Sequence, residues 1–324
     1  SYSLPLGWLE KFKLTFKDKG EFHLDSSLDE FQNFWINKSP SDKKLYIPNI
    51  NPNISLRPYQ HAGVRWLKNM ANYNLNPILA DDMGLGKTLQ SLALLQFFKG
   101  PHLVIAPSSV VTNWKREANF FFPKMKCLAY QGKNRKQLRW QIEKMDLIVL
   151  SHTTLRLDIE YLAEKLWSHV IVDEAHILKN ASSQTAKALH RIQCRHKVAL
   201  TGTPIQNHPR ELWALFKFLS PNYLGSQDEF NKLHKAKLSL EQDKLSTLKK
   251  QITPLFIRRL KKDVARDLPP KIIINEYVDL LPEQIALYKE CLATYKGPEL
   301  LKKVLTEGPQ LSLIHISEPT RLGF

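Results

Sequence analysis

The sequence predicts an α/β fold, a doubly wound parallel sheet with helices on both faces and a helical insertion. The first observation is a series of short apolar runs, which is typical of buried parallel strands. These runs are Ile78–Ala80, Leu103–Ala106, Leu147–Leu150, Val170–Val172 and Val198–Leu200. The second is that a loop and usually an amphipathic stretch follow each run, as crossover helices do. Ligands bind at the carboxyl ends of the strands in such sheets, so chemistry is expected directly after each run.

The sheet domain is predicted over residues 54–280, after an accessory segment and linker over residues 1–53. The Ser/Pro/Asn-rich stretch Ser39–Asn53 marks that linker as a loop. Between residues 211 and 255 the strand rhythm disappears and helical patterns replace it, which predicts the insertion. The apolar residues 272–274 and 277–278 predict a last strand of the sheet.

Composition places the chain among ordinary globular proteins, since 43% of its 324 residues are hydrophobic and 24% are charged. No signal peptide or long apolar run is visible, so no membrane partner is expected and the location is predicted as cytoplasmic, nucleoid-associated or nuclear. Cys127, Cys194 and Cys291 form no CxxC pair and suggest neither zinc nor disulfides. The net charge of +16 suggests a polyanionic partner, although a merely basic solvated surface is the alternative.

The two ends of the chain predict a fragment of a longer protein. The first residue is not Met, and the last residues stop inside what resembles unfinished architecture. Residues 311–324 are expected to be an artefact, because Leu311–Arg321 is similar to the in-frame translation of a sequencing-library adapter. The alternative is a genuine amphipathic tail.

A glycine-rich stretch, Ala80–Thr88, lies between the first apolar run and the amphipathic stretch Leu89–Phe98. This context is typical of a phosphate-binding loop, whose backbone N–H groups surround phosphates at a helix N-terminus. Lys87 is expected to reach the β- and γ-phosphates of ATP, and Thr88 to bind Mg²⁺. The expected nucleotide contacts are Asp82, Met83, Gly84, Leu85, Gly86, Lys87 and Thr88. Asp81 stands where the general pattern has its first glycine, and a plain turn before a helix is the simpler alternative.

Two adjacent carboxylates, Asp173 and Glu174, follow the apolar run that ends at Val172. Asp173 is expected to hold Mg²⁺ through water, and Glu174 to polarise the water that attacks the γ-phosphate. An isolated Asp-Glu pair more often forms a solvated turn. Its place after both a strand and the phosphate loop favours a nucleotide hydrolase in which Lys87, Asp173 and Glu174 are catalytic.

The segment Asp173–His176 reads Asp-Glu-Ala-His and resembles the second motif of superfamily-two helicases. Leu56–Gln60 resembles the adenine-reading segment of that superfamily, which implies that Gln60 contacts adenine; a helix start with proline is the alternative. Leu200–Asn207 resembles the third motif, which couples hydrolysis to nucleic acid. Coupling roles are thereby implied for His176, Thr201, Gly202 and Thr203. The wording Thr-Gly-Thr-Pro-Ile-Gln-Asn is similar to the Swi/Snf-related branch.

Two further stretches are similar to the same branch. The first, Ala106–Trp114, lies against the DNA backbone in that family, where hydroxyl, amide and ammonium groups bind phosphate without reading sequence. The resemblance implies DNA contacts for Ser108, Ser109, Thr112 and Lys115. The second, Phe256–Val264, belongs to a stretch with six basic residues between Arg258 and Lys271. DNA contact and structural bracing are equally open for this second stretch.

The resemblance covers about residues 56 to 294 and implies a RecA-like helicase lobe. It implies an ATP-dependent translocase on double-stranded DNA that remodels protein–DNA complexes, with ATP and Mg²⁺ as cofactors. The second lobe of that family, with its arginine fingers, has no match, and residues 281–310 are predicted to start a linker toward it. Little ATP hydrolysis is therefore expected from this chain alone. An RNA helicase lobe and a nucleotide-gated DNA-binding module without turnover are the alternatives.

Overall fold

The computed structural model describes residues 45–202, 209–234, 248, 252–264, 282 and 285. The chain divides into two compact units, Ser1–Asp267 and Leu268–Phe324, and every element below belongs to the first. The strands of the described residues are β1 (Ile78–Leu79), β2 (His102–Ala106), β3 (Cys127–Ala129), β4 (Leu147–Ser151), β5 (Leu166–Val172), β6 (Gln193–Leu200) and β7 (Phe256–Ile257). They form one sheet in the order β3-β4-β2-β5-β6-β1-β7, and all of its strand pairs are parallel.

Helices connect these strands, as crossovers between parallel strands require. The α-helices of the described residues are α1 (Pro58–Asn72), α2 (Lys87–Leu95), α3 (Val111–Phe121), α4 (Arg139–Ile142), α5 (His152–Leu157), α6 (Ile159–Ala163), α7 (Gln184–Arg191), α8 (Pro209–Leu219), α9 (Gln227–His234) and α10 (Lys261–Val264). Within the part of the chain that the structure describes, no helix combines the length and apolar composition needed to span a bilayer.

Alternate residues of each strand pack into two hydrophobic cores, one on each face of the sheet. In β2, Leu103 and Ile105 belong to one buried cluster, which also takes residues from α5 to α9. Val104 and Ala106 belong to the other, which is completed by α1, α2 and α3. Successive side chains of a strand point to opposite faces, so a strand buried on both sides must be apolar throughout. The predicted doubly wound parallel sheet is confirmed.

All five predicted strands are present, and two further strands were missed. β3 and β7 contain only three and two residues; β1 is equally short, but the glycine-rich motif that follows it marks its position in the sequence. β7 pairs with β1 through Ile78 and Phe256, and forms an edge of the described sheet. The predicted strand over residues 272–278 lies outside the described residues.

The region predicted as a helical insertion contains α8 and α9, followed by a short 3₁₀ turn, Thr253–Leu255. Its helical character is confirmed in the described residues, while residues 235–247 lie outside them. The proposed boundaries at residues 53, 280 and 310 stay predictions.

Three histidines stand side by side across adjacent strands, His102 on β2, His169 on β5 and His196 on β6. The ring centroids are 5.3 Å apart between His102 and His169, and 4.7 Å apart between His169 and His196. Burial lowers the pKa of His102 to about 4 and that of His169 to about 2. Both rings are therefore neutral in the folded protein at neutral pH.

The free energy of unfolding is expected to fall as the pH drops below about 6.5. In that range His102 and His169 bind protons in the unfolded chain but stay neutral in the folded protein. Each histidine contributes a slope of about 1.4 kcal/mol per pH unit. His169→Phe keeps an aromatic ring and should remove one such slope between pH 6.5 and 5. Urea unfolding of both proteins across that range measures the difference, and equal slopes would contradict this account.

Candidate nucleotide-binding site

The loops that follow β1, β2, β5, β6 and β7 meet at one edge of the sheet, because the strands are parallel. Every predicted motif except Leu56–Gln60, which lies at the start of α1, is on one of these loops. They are the glycine-rich loop after β1, the hydroxyl-bearing turn after β2, the carboxylate pair after β5, Thr201 and Gly202 after β6, and the basic residues after β7.

The glycine-rich loop bends through left-handed backbone at Gly84 (φ 82°) and Gly86 (φ 74°), a conformation that glycine adopts without strain. Gly86 is the N-cap of α2, so Lys87 and Thr88 are the first two helical residues. A Cβ at Gly86 would also lie 2.5 Å from Gln60 Nε2. The loop thus presents backbone N–H groups and the positive end of a helix dipole, which favours an anion.

The Lys87 ammonium group lies inside this loop and close to the carboxylate pair. Its Nζ donates to the carbonyl oxygens of Asp81 (2.7 Å) and Asp82 (3.3 Å). Burial lowers the pKa of Lys87, and the nearby charges of Glu174, Asp81, Asp173 and Asp82 act in the opposite direction. The structure therefore brings the glycine-rich loop and the two carboxylates together, as their positions after β1 and β5 predicted.

Asp173 is held from two sides. Glu174 N–H donates to its Oδ1 and the indole Nε1–H of Trp114 donates to its Oδ2, each at 2.9 Å. Burial raises the pKa of Asp173, while these two hydrogen bonds lower it. The orientation of this carboxylate is therefore set by the chain itself.

Glu174 adopts left-handed backbone, with φ 48° and ψ 53°. For a residue with a side chain this costs about 1–3 kcal/mol, and such strain is concentrated at functional sites. Its carboxylate Oε2 lies 3.2 Å from Nδ1 of His176, an exposed residue predicted to act in coupling. Glu174 is also the carboxylate whose charge acts most strongly on Lys87.

Gln60, the predicted adenine contact, is buried and bound to backbone at both ends of its amide. Its Oε1 accepts from Arg57 N–H (2.9 Å) and its Nε2 donates to the Leu85 carbonyl (3.3 Å). The side chain thereby ties the start of α1 to the glycine-rich loop. Its contact with adenine stays a prediction.

Asp81, the departure from the glycine pattern, is fully buried and paired with Arg259 of the segment after β7. Both Nε (2.9 Å) and the backbone N–H (3.1 Å) of Arg259 donate to Asp81 Oδ1, and its terminal nitrogen Nη2 also binds Gln90 Oε1 (2.7 Å). A Cβ at Gly63 would clash with Gln90 Oε1. Glycine at this position of α1 therefore leaves room for the Gln90 side chain of this network.

DNA contact and structural bracing were the two hypotheses for the basic segment. For Arg259, this network favours structural bracing. Arg259 braces the glycine-rich loop through Asp81, and the next residues continue the contact, since Lys261 N–H donates to Asp82 Oδ2 (3.0 Å). Arg258, by contrast, is exposed. The pairing of Asp81 with Arg259 was not predicted, and the only signal for it was the aspartate in place of glycine.

Two of the predicted coupling residues lie beside the loop. Thr201 is buried and its N–H donates to the Leu79 carbonyl at the end of β1 (3.1 Å). A Cβ at Gly202 would lie 3.1 Å from Met83 Cγ and 3.9 Å from Lys87 Nζ. Thr203 lies outside the described residues.

The four predicted DNA contacts lie on one continuous segment after β2. Ser108 and Ser109 are exposed in a 3₁₀ turn, and Thr112 and Lys115 are exposed on α3. β2 is the neighbour of β5, the strand that carries the carboxylate pair. The structure thus places this segment next to the carboxylates.

The donor set at the edge fits a magnesium nucleotide. Mg²⁺ prefers carboxylate, hydroxyl and phosphate oxygens, which Asp173 and Thr88 would supply together with the nucleotide. The ammonium of Lys87 and the N-terminus of α2 provide the positive charge that the phosphates need. The fold and this edge together define the class of α/β nucleotide-binding lobes.

Comparison with known proteins narrows the class to a family. The SNF2-related domain family matches residues 59–314, and the chain belongs to that family. It is 33% identical to TATA-binding protein-associated factor mot1 of Schizosaccharomyces pombe, covering 90% of this chain and 17% of the relative. It is 37% identical to the chromatin-remodeling ATPase INO80 of the same organism, covering 78% of this chain and 17% of the relative.

Solved structures agree with the family and with the RecA-like lobe that the resemblance implied. The Sulfolobus solfataricus SWI2/SNF2 ATPase core in complex with dsDNA superposes with a TM-score of 0.65 at 34% identity. The match covers 82% of this chain and 58% of that one. The predicted Swi/Snf relationship is therefore confirmed, and the chain spans about 17% of the length of the two curated relatives named above.

Proposed function

We propose that this chain is the first motor lobe of an ATP-dependent translocase on double-stranded DNA. The observation that carries the proposal is the meeting of Lys87 with Asp173 and Glu174 at the carboxyl edge of the sheet. Phosphate-binding and hydrolytic groups there lie beside a segment whose hydroxyl and ammonium groups face solvent. In the full-length protein a second lobe would complete the site, because phosphoryl transfer needs further positive charge around the γ-phosphate.

We assign each residue of the site a role in this function. The N-terminus of α2 and Lys87 bind the phosphates, for which the Lys87 ammonium exchanges its bonds to the Asp81 and Asp82 carbonyls. Mg²⁺, held by Thr88 and Asp173, would neutralise phosphate charge. Glu174 would orient the attacking water and take its proton. Gln60 would contact the adenine edge.

The DNA partner is supported by charge and by relatives. The chain carries a net charge of +16, and Ser108, Ser109, Thr112 and Lys115 offer donors suited to phosphate oxygens. A solved relative is a complex with dsDNA, and a curated relative is a chromatin-remodeling ATPase. We therefore propose duplex DNA as the track, a DNA-bound protein complex as the target and the nucleus as the location.

ATP hydrolysis by the full-length protein tests the proposal. Duplex DNA is expected to stimulate turnover more than single strands or RNA, and turnover should displace a third strand bound to the duplex without separating its two strands. Stronger stimulation by RNA would favour an RNA helicase instead. DNA binding that depends on nucleotide but occurs without turnover would favour a gated binding module.

Binding of this chain to duplex DNA is expected to be weak, independent of sequence and dependent on salt. Each neutralised phosphate contributes about −0.9 to the slope of log K against log[salt], so one lobe should give a shallow slope. Lys115→Ala should reduce the slope by about one contact and weaken all duplexes alike. Lys124→Ala, an exposed lysine beyond the far end of α3, is the control and should leave the slope unchanged. A marked preference for one of two unrelated duplexes would contradict the prediction.

A further inference from the structure

Trp114 joins the solvent-facing segment after β2 to the carboxylate after β5. Its indole Nε1–H donates to Asp173 Oδ2 at 2.9 Å, across 59 residues of sequence. Trp114 is 1% exposed although it lies beside this polar edge of the sheet. A buried indole N–H needs a partner, and here the partner is the carboxylate expected to hold Mg²⁺.

The helix that carries Trp114 has two different faces. Val111, Trp114 and Ala118 are buried on the inner face, whereas Thr112 and Lys115 are exposed on the outer face. A packed helix moves as a unit, because its buried side chains interdigitate with their neighbours. A displacement of α3 by a ligand on its outer face would therefore move the indole N–H relative to Asp173.

The two oxygens of Asp173 are held by different parts of the chain. Oδ1 is bound by the N–H of the adjacent Glu174, which belongs to the same turn. Oδ2 is bound by an indole from another element, so its position depends on how α3 sits against β5. The local turn fixes the position of Oδ1, whereas tertiary packing fixes the position of Oδ2. Trp114 provides that tertiary contact.

We propose that Trp114 is a positioning residue that orients the Asp173 carboxylate for Mg²⁺. When DNA phosphates bind residues 108–115, the resulting displacement of α3 changes the position of the indole N–H and thereby that of the carboxylate. The inference rests on the proposed function, since it requires Mg²⁺-nucleotide at Asp173. Trp114 touches neither the nucleotide nor the reacting atoms. Mutation of a residue that hydrogen-bonds a metal ligand typically lowers metal affinity by about 10–100-fold.

Nucleotide binding with and without Mg²⁺ tests the positioning role. In Trp114→Phe, which keeps an aromatic ring and loses the N–H, the Mg²⁺ concentration that half-saturates the ATP complex should rise about 10-fold. Binding of ADP in the presence of a chelator should stay within about twofold, because the phosphate loop is untouched. A merely structural role would weaken both kinds of binding together, and that result would overturn the proposal.

Trp167→Phe is the matched control. Trp167 is also fully buried, and its indole N–H donates to the backbone carbonyl of Leu162 at 3.1 Å, away from the carboxylates. It should lower stability without changing the Mg²⁺ requirement. An equal change in both variants would show that loss of a buried indole N–H, rather than its bond to Asp173, causes the effect.

Indole ¹⁵N–¹H spectra of the chain test the link to DNA. The protein has seven tryptophans, and the Trp114 resonance is identified by its disappearance in Trp114→Phe. Adding a short duplex should shift this resonance, and Lys115→Ala should reduce the shift at equal saturation. An unmoved Trp114 resonance in the DNA-bound protein would overturn the transmission step. If the unmodified chain binds no Mg²⁺-nucleotide at all, the proposed function itself fails. If the unmodified chain binds it and Trp114→Phe has the same Mg²⁺ requirement, only the positioning role fails.

Discussion

Glu174→Gln in the full-length protein is expected to reduce DNA-stimulated ATP hydrolysis by about 10²–10⁴-fold, the usual contribution of a positioned general base. The amide keeps the shape of the side chain, and Lys87, Thr88 and Asp173 remain, so ATP should still bind with Mg²⁺. The expected product is a trapped ATP complex on DNA. Steady-state hydrolysis together with equilibrium binding of radiolabelled ATP measures both quantities.

Lys87→Ala provides the contrast. It removes the ammonium group that lies within the field of Asp173 and Glu174, so both ATP binding and turnover should be lost while the fold is retained. Turnover near the parental rate in Glu174→Gln would show that another carboxylate is the base. Near-normal hydrolysis in Lys87→Ala would reject the phosphate loop itself.

Arg259→Ala is expected to lower the free energy of unfolding of the chain by about 3–5 kcal/mol, because it leaves the buried carboxylate of Asp81 without its ionic partner. The network with Gln90 loses a member at the same time. Urea unfolding followed by circular dichroism measures the change. Affinity for nucleotide should fall as well, since this segment also holds Asp82.

Two comparisons isolate the ion pair from the loss of an arginine. Arg258→Ala removes the adjacent, exposed arginine and should change stability by no more than about 0.5 kcal/mol. The double variant Asp81→Ala with Arg259→Ala should cost less than the sum of the two single variants, because no unpaired charge is then buried. Equal costs for Arg258→Ala and Arg259→Ala would refute the brace.

The sheet and the shape of the glycine-rich loop were predictable because their signals are local. A buried parallel strand must be apolar over successive residues, as Leu103–Ala106 is, and a loop with left-handed backbone favours glycine, as at Gly84 and Gly86. Both requirements act on neighbours in the chain. β3 and β7 escaped prediction because each has only two or three residues and, unlike the equally short β1, is not followed by a Gly-Leu-Gly-Lys-Thr motif.

The sequence by itself determined the α/β class, and it predicted a nucleotide site at the glycine-rich loop and the pair Asp173 and Glu174, since each of these signals depends on residues within one turn or strand. Only the tertiary structure decided that Arg259 pairs with Asp81, 178 residues away, and that Trp114 binds Asp173. An arginine in a basic run and a tryptophan in an amphipathic helix are each compatible with many partners. Which partner each takes depends on where the sheet order brings the strand ends, because buried charges and indole N–H groups bind the polar groups that packing places beside them.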